Sequence, residues 1–202
     1  MKIYFDGCSW TYGGGLVERR EQDRFTAVVC RELGVKEYNF SLPKSSNDRI
    51  VRQLLTENDI SEYDYAVIQM TYSSRLEYYD ESKKDNRDKG WIRIANQDTK
   101  PFKKVRKFSD EHGVFWNYFY KNVFDETYFN KKEEIQYKTI RNHCKINNVP
   151  LLLMTVNNWD TKLKFDIELE HTHIPRLPCH HPNSLGHRVI ADEILSWLTT
   201  HK

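Results

Sequence analysis

Short apolar runs alternate with longer amphipathic segments along most of this chain. Residues 2–5, 37–41, 65–70 and 151–156 are compact and apolar enough to read as strands. The last of them carries Leu151, Leu152, Leu153 and Met154 with no polar alternation, which predicts a strand covered on both faces. Phe165, Ile167 and Leu169 alternate with Asp166, Glu168 and Glu170, the pattern of a half-exposed fifth strand. Between these runs the period changes. Phe25, Val28, Val29 and Leu33 recur at helical spacing and stop at Gly34, a natural left-handed terminator. Ile50, Val51, Leu54 and Leu55 do the same after the polar start Ser45-Ser46-Asn47-Asp48. A third helix is expected to begin at Asn130, with Glu133 as a reciprocal cap, and to break at Asn147-Asn148-Val149-Pro150. The last runs from Leu185 through Val189, Ile190, Ile194 and Leu198.

Strands that alternate with helices imply parallel pairing and right-handed crossovers. The expected fold is therefore a three-layer α/β/α sandwich around a parallel, flavodoxin-like sheet of about five strands. One domain over residues 1–202 accommodates all of these elements, with an insertion at 72–129 that is too long for a connection and too charged for core. The insertion holds the basic stretch 100–107 and the aromatic stretch Phe115-Trp116-Asn117-Tyr118-Phe119-Tyr120. It reads as an amphipathic cover over a sheet edge, lysines in solvent and aromatics inward.

Composition narrows the partners. Lys and Arg total 31 against 29 Asp and Glu, a formal net charge of +2, so no overall field draws nucleic acid and none is expected as a partner. Cys8, Cys30, Cys144 and Cys179 are far apart and show no CxxC spacing, which implies reduced thiols and a cytoplasmic setting. Met1-Lys2-Ile3-Tyr4-Phe5-Asp6 reaches an acid before a signal-peptide apolar region could form, and no later run has membrane-spanning length, so no membrane partner is expected.

The candidate chemistry lies at the two ends of the chain. Phe5-Asp6-Gly7-Cys8-Ser9-Trp10-Thr11 follows the first strand and places the Ser9 hydroxyl at the carboxyl edge of the sheet, where parallel α/β folds keep their sites. His180-His181-Pro182-Asn183-Ser184-Leu185-Gly186-His187 precedes the last helix. A serine attacks well only when an imidazole within hydrogen-bond reach takes its proton, so the two stretches together suggest a serine nucleophile and a histidine base. Tyr12-Gly13-Gly14-Gly15-Leu16 lacks the Lys-Ser/Thr of a nucleotide phosphate loop.

Taken in order, these blocks resemble the SGNH/GDSL hydrolase family. Gly7-Cys8-Ser9 matches its Gly-Asp-Ser, with Cys8 where the aspartate is usual. The loop Asn39-Phe40-Ser41-Leu42-Pro43-Lys44-Ser45-Ser46-Asn47-Asp48 resembles the second block, with Lys44 where a glycine is expected. Gln69-Met70-Thr71-Tyr72-Ser73-Ser74-Arg75 stands where the family has Gly-x-Asn-Asp, and Thr71 or Ser73 can offer a hydroxyl in place of the asparagine. Pro178-Cys179-His180-His181-Pro182 matches Asp-x-x-His-Pro at His181 and Pro182, with Pro178 replacing the acid. Asp160, Asp166, Glu168 or Glu170 can fold back to serve it, or a backbone carbonyl can take that place. Asn183-Ser184-Leu185-Gly186-His187 resembles the entry into the family's last helix, with His187 in a structural role.

The resemblance implies a serine-dependent ester hydrolase or acyl transferase acting on a small-molecule or carbohydrate ester, with no cofactor and no metal. The oxyanion would be held at Ser9, Lys44 and Thr71, and substrate by Arg75 and Asn47. Compact chains of this kind also resemble bacteriophage reading frames, which would place the protein in a host cytoplasm. Two other readings stay open: a binding module on the same fold without turnover, and a metal-dependent hydrolase using His171, His173, Cys179, His180, His181 and His187.

Overall fold

The structure, a computed structural model, describes residues 1–84, 89–94, 113–155, 163–169 and 174–201. Its strands are β1 (Ile3–Asp6), β2 (Glu37–Asn39), β3 (Tyr65–Met70), β4 (Leu76–Tyr79), β5 (Trp91–Ile94), β6 (Leu151–Thr155) and β7 (Ile167–Glu168). Its helices are α1 (Ser9–Tyr12), α2 (Arg20–Asp23), α3 (Phe25–Leu33), α4 (Asn47–Arg52), α5 (Gly113–Tyr118), α6 (Glu126–Ile146) and α7 (Ser184–Thr200). Five strands form one parallel sheet in the order β2-β1-β3-β6-β7, with Phe5 beside Val67 and Ile68 beside Leu153. Strand order reverses at β1, so the loops after β1 and β3 diverge and leave a crevice between them at the carboxyl edge.

Alternation along the strands divides the core in two. Ile3, Phe5, Val67, Leu152 and Met154 face Phe25, Val28 and Val29 of α3 and Ile190, Ala191, Ile194 and Leu198 of α7. Tyr4, Ala66, Ile68, Met70 and Leu153 face Ile50 and Leu54, at and just beyond α4, and Ile140 and Cys144 of α6. Successive residues of a central strand thus feed opposite layers, which makes the molecule a three-layer α/β/α sandwich with both sheet faces covered.

The caps follow from the local sequence. Gly34 ends α3 with φ 65°, and the Ser46 hydroxyl accepts from the Arg49 N–H at 3.1 Å to start α4. Asn183 Oδ1 accepts from the Gly186 N–H at 2.9 Å to start α7. The start of α6 differs from the expectation. Asp125 caps it by accepting from the Tyr128 N–H at 2.7 Å, and Glu133 lies well inside the helix, buried rather than capping. Asp125 offers the same capping chemistry earlier in the chain, and Phe129 in the added first turn is buried against the rings of Phe119 and Phe124.

The region 72–129 contains the antiparallel hairpin β4–β5, α5 and a π-turn at Phe119–Val123. Its aromatics are only partly inward: Tyr120 is buried and donates its hydroxyl to the Ser74 carbonyl at 2.7 Å, whereas Phe115 and Tyr118 are 58% and 61% exposed. The basic stretch 100–107 lies outside the described residues. All four cysteines are free. No helix among the described residues is long and apolar enough to cross a membrane.

Candidate active site

The first loop is set by burial beneath it. Asp6, fully buried at the end of β1, meets Arg49 Nη1 of α4 at 3.0 Å and accepts from the Gly7 N–H at 2.7 Å. Burial raises the Asp6 pKa, while the Arg49 charge works against that rise. Position 7 must be glycine because a Cβ there would come within 2.3 Å of Thr11 Oγ1. The chain then turns into α1, whose first residue is Ser9, half-buried at the carboxyl edge.

His181 comes from a loop folded back on itself ahead of α7. Leu177 N–H donates to the His181 carbonyl at 2.8 Å and Asn183 N–H to the Pro175 carbonyl at 3.0 Å, with Arg176 bridged to Pro182. The tip closes through the His180 N–H to the Leu177 carbonyl at 2.9 Å, which puts Pro178 and Cys179 at the corners of a tight turn. Proline suits a turn corner because its φ is already fixed, and this accounts for Pro178 where a carboxylate was expected. The loop seats on the glycines after α1: a Cβ on Gly14 would lie 3.0 Å from His181 Cδ2 and 2.9 Å from the Ser9 carbonyl, and one on Gly15 would lie 2.7 Å from Leu177 Cδ1. Nothing in the linear pattern distinguished this glycine run as the seat of the histidine.

His181 Nε2 lies 2.9 Å from Ser9 Oγ, across 172 residues of sequence. Burial pushes the His181 pKa down and the Arg75 charge adds to this, with the Cys179 backbone acting in the opposite direction and His180 lowering it further. The ring is therefore neutral near pH 7 and free to accept a proton at Nε2. Nδ1 is buried and meets no acceptor in good hydrogen-bond geometry among the described residues. Asp166 does not supply the missing carboxylate. It accepts from the Leu153 N–H at 2.8 Å and meets Arg141 at 3.2 Å, anchoring β7 to β6 and α6. Glu168 is exposed on β7, and Asp160 and Glu170 lie outside the described residues.

The second and third loops are tied to each other and to the first. Asn47 is buried, accepting from the Thr71 N–H at 2.8 Å and donating to the Thr71 carbonyl at 3.0 Å, so its amide braces the third loop. Lys44 is exposed and has φ 64°, the left-handed conformation expected of the glycine it replaces. Arg75 Nη1 donates to Thr71 Oγ1 at 2.8 Å and reaches the Ser45 carbonyl at 3.4 Å. Beneath Ser9 runs a buried polar chain absent from the sequence reading: Thr11 Oγ1 donates to Gln69 Oε1 at 2.6 Å, and Gln69 Nε2 to Cys8 Sγ at 3.1 Å. Burial opposes a Cys8 thiolate, but the Arg75 charge, the Trp10 N–H and hydrogen bonds from Gln69 and Thr71 together outweigh it and bring the thiol below its ordinary pKa. Cys8 thus sits in surroundings built to hold negative charge, the character of the aspartate it replaces.

His187 is fully buried, and its Nδ1 accepts from the Phe25 N–H at 3.2 Å. That bond joins α7 to α3 and makes the residue a structural one. Among the described residues no three ligating side chains gather in a way that could hold a metal ion; His171 and His173 lie outside them.

No protein-family model matches this sequence. No curated protein matches it either. Solved structures do. The chain is similar to the psychrotrophic esterase EstA from Pseudoalteromonas sp., solved in a form inhibited by monoethylphosphonate, with a TM-score of 0.52 at 13% identity over 98% of each chain. It also aligns with a G-D-S-L family protein from Desulfitobacterium hafniense (TM-score 0.42, 11% identity, 96% and 98% of the two chains). A third match is an acetyl-xylooligosaccharide esterase from Geobacillus Stearmophilus (TM-score 0.39, 13% identity, 96% and 92%). The architecture is an SGNH/GDSL hydrolase-like fold, and at this identity the likeness is one of fold.

Proposed function

We propose that the chain is a serine-dependent ester hydrolase or acyl transferase of the SGNH type, acting on a small-molecule or carbohydrate ester. The observation that carries this reading is the 2.9 Å contact between His181 Nε2 and Ser9 Oγ at the carboxyl edge of the sheet. Ser9 Oγ attacks the ester carbonyl as His181 Nε2 takes its proton. The resulting oxyanion is held by the backbone N–H groups of Ser9 and Lys44, with the Thr71 hydroxyl, polarised by the bond it accepts from Arg75, turning its single proton from Cys8 Sγ to the oxyanion to complete the set. His181 returns the proton to the leaving alcohol, and water or a second alcohol then releases the acyl group from Ser9 by the same route. Asn47 acts through Thr71, fixing the loop on which that hydroxyl stands.

The 72–129 region carries an aromatic cleft of about 500 Å³ lined by Tyr78, Tyr79, Phe115 and Trp116, with Asp80 and Glu81 at its side, a surface that a carbohydrate could occupy. Flat apolar faces beside carboxylates suit a sugar ring and its hydroxyls. A second reading, an ester-binding module without turnover, is favoured by the absence of a carboxylate at His181 Nδ1 among the described residues. A fluorophosphonate probe separates the two. Covalent labelling mapped to Ser9 and lost in Ser9→Ala supports the enzyme; folded protein that takes no label overturns it and leaves the binding module.

A further inference from the structure

Two guanidinium groups, those of Arg75 and Arg176, stand beside the Ser9–His181 pair. Arg75 lies with its guanidinium carbon 4.9 Å from the Tyr72 ring centroid, and its Nε is buried without a hydrogen-bond partner among the described residues. Arg176, bridged to Pro182 next to His181, holds its guanidinium 5.5 Å from the ring of Trp10, the residue after Ser9. Its Nε and Nη2 are likewise buried and unmatched among the described residues. Tyr72 lies within electrostatic reach of both guanidinium groups.

Several other arginines of this protein meet acids, while Arg20 and Arg31 donate to backbone carbonyls. Arg24 pairs with Glu37 at 2.6 Å, Arg49 with Asp6 at 3.0 Å, Arg52 with Glu77 at 2.9 Å and Arg188 with Glu32 at 2.7 Å. A buried guanidinium N–H without an acceptor is costly, and an anion that enters and accepts from it recovers that cost. The planar fork of an arginine fits a carboxylate or a phosphate in particular. The aromatic faces of Trp10 and Tyr72 hold the two forks in place without neutralising them.

We propose that Arg75 and Arg176 bind an anionic group of the substrate, a carboxylate or phosphate close to the ester that Ser9 attacks, so that the substrate class is an acid-bearing ester. This rests on the Ser9–His181 reading above and adds the charge of the molecule that enters the site.

The test compares three acetyl esters of one phenol scaffold: 4-acetoxybenzoate, its uncharged methyl ester, and 4-acetoxyphenyl phosphate. The wild-type protein is expected to show kcat/KM at least about tenfold higher for a charged ester than for the neutral one, with the advantage shrinking as salt is added. Whichever of the carboxylate and phosphate is preferred identifies the anion. In Arg176→Gln, checked for an unchanged melting temperature, the charged-to-neutral ratio is expected to fall toward one. Equal kcat/KM for charged and neutral esters in the wild-type protein would overturn the anion site while leaving the hydrolase standing. Calorimetric titration of Ser9→Ala with the same three compounds reads binding without turnover. Tight binding of a charged ester over the neutral one, together with no hydrolysis by the wild-type protein, keeps the anion site and removes the hydrolase.

Discussion

Lys44 holds a backbone conformation that costs a residue with a side chain about 1–2 kcal/mol relative to the right-handed region, and its exposed side chain has no steric obstacle to removal. Glycine would relieve that strain and give back part of the gain through a more flexible unfolded chain. Lys44→Gly should therefore raise the unfolding free energy by about 0.5–1 kcal/mol, read as a higher urea midpoint at unchanged slope. A lower midpoint would show that the lysine side chain contributes more than its backbone strain costs. Thr71 gives a second residue-scale expectation. Thr71→Val keeps the shape and removes the hydroxyl, and kcat should fall at least about tenfold with KM little changed if that group meets the transition state. A change confined to KM would place it in ground-state binding instead.

At the scale of elements, the site depends on two short segments that fit face to face, the glycine turn after α1 and the folded loop ahead of α7. A methyl group on Gly14 would press on both the Ser9 carbonyl and the His181 ring. Gly14→Ala should cost about ten- to a hundredfold in turnover, because a displacement near 1 Å is enough to misalign a base and its nucleophile. Its kinetics on a chromogenic acetate ester would check this, and wild-type turnover would mean that His181 does not use this seat. The period of the apolar positions was sufficient to find β1, β3, β6, α3 and α7, because each of these segments buries a face whose spacing is its own signature. Ser9 and His181 each stand directly beside such a segment, but the resemblance of the ordered blocks to the SGNH/GDSL family, not the period, singles them out as candidates. Contacts that depend on two distant loops meeting were not legible: the Gln69 amide on Cys8, the Asn47 amide on Thr71, and Gly14 under His181. Glu133 was misread for a related reason. A polar residue in the first half of a helix looks like a cap in one dimension, and only the folded packing of α6 shows that it is buried.

For the molecule as a whole, two buried titratable groups set opposing pH dependences. Burial pushes the Glu133 pKa up from 4.5 to about 7. Its folded form therefore binds the proton more tightly than the unfolded chain, so its contribution is full below about pH 4.5 and is lost as pH rises through about 7. Burial, with a smaller effect of the His181 charge, pushes the His187 pKa down from 6.5 to about 4, so stability from keeping that ring neutral is present above pH 6.5 and lost as pH falls toward 4. At about 1.4 kcal/mol per pKa unit, Glu133→Gln should add on the order of 1–3 kcal/mol near pH 8 and little near pH 4.5, measured by urea unfolding at each pH. A pH-independent difference would mean that Glu133 stays ionised in the folded state. The larger dependence is on topology, since the candidate nucleophile follows the first strand, the candidate base precedes the last helix, and the assembled sheet with α3 and α7 in place brings them to 2.9 Å. The rate of Ser9 labelling by a fluorophosphonate, followed across pH, tests that pairing most directly. The account predicts a rate that rises with pH through a single inflection below 6.5, where the depressed His181 loses its proton, and a rate at least about a hundredfold lower with no such inflection in His181→Gln. Labelling at the same rate in both proteins would contradict it.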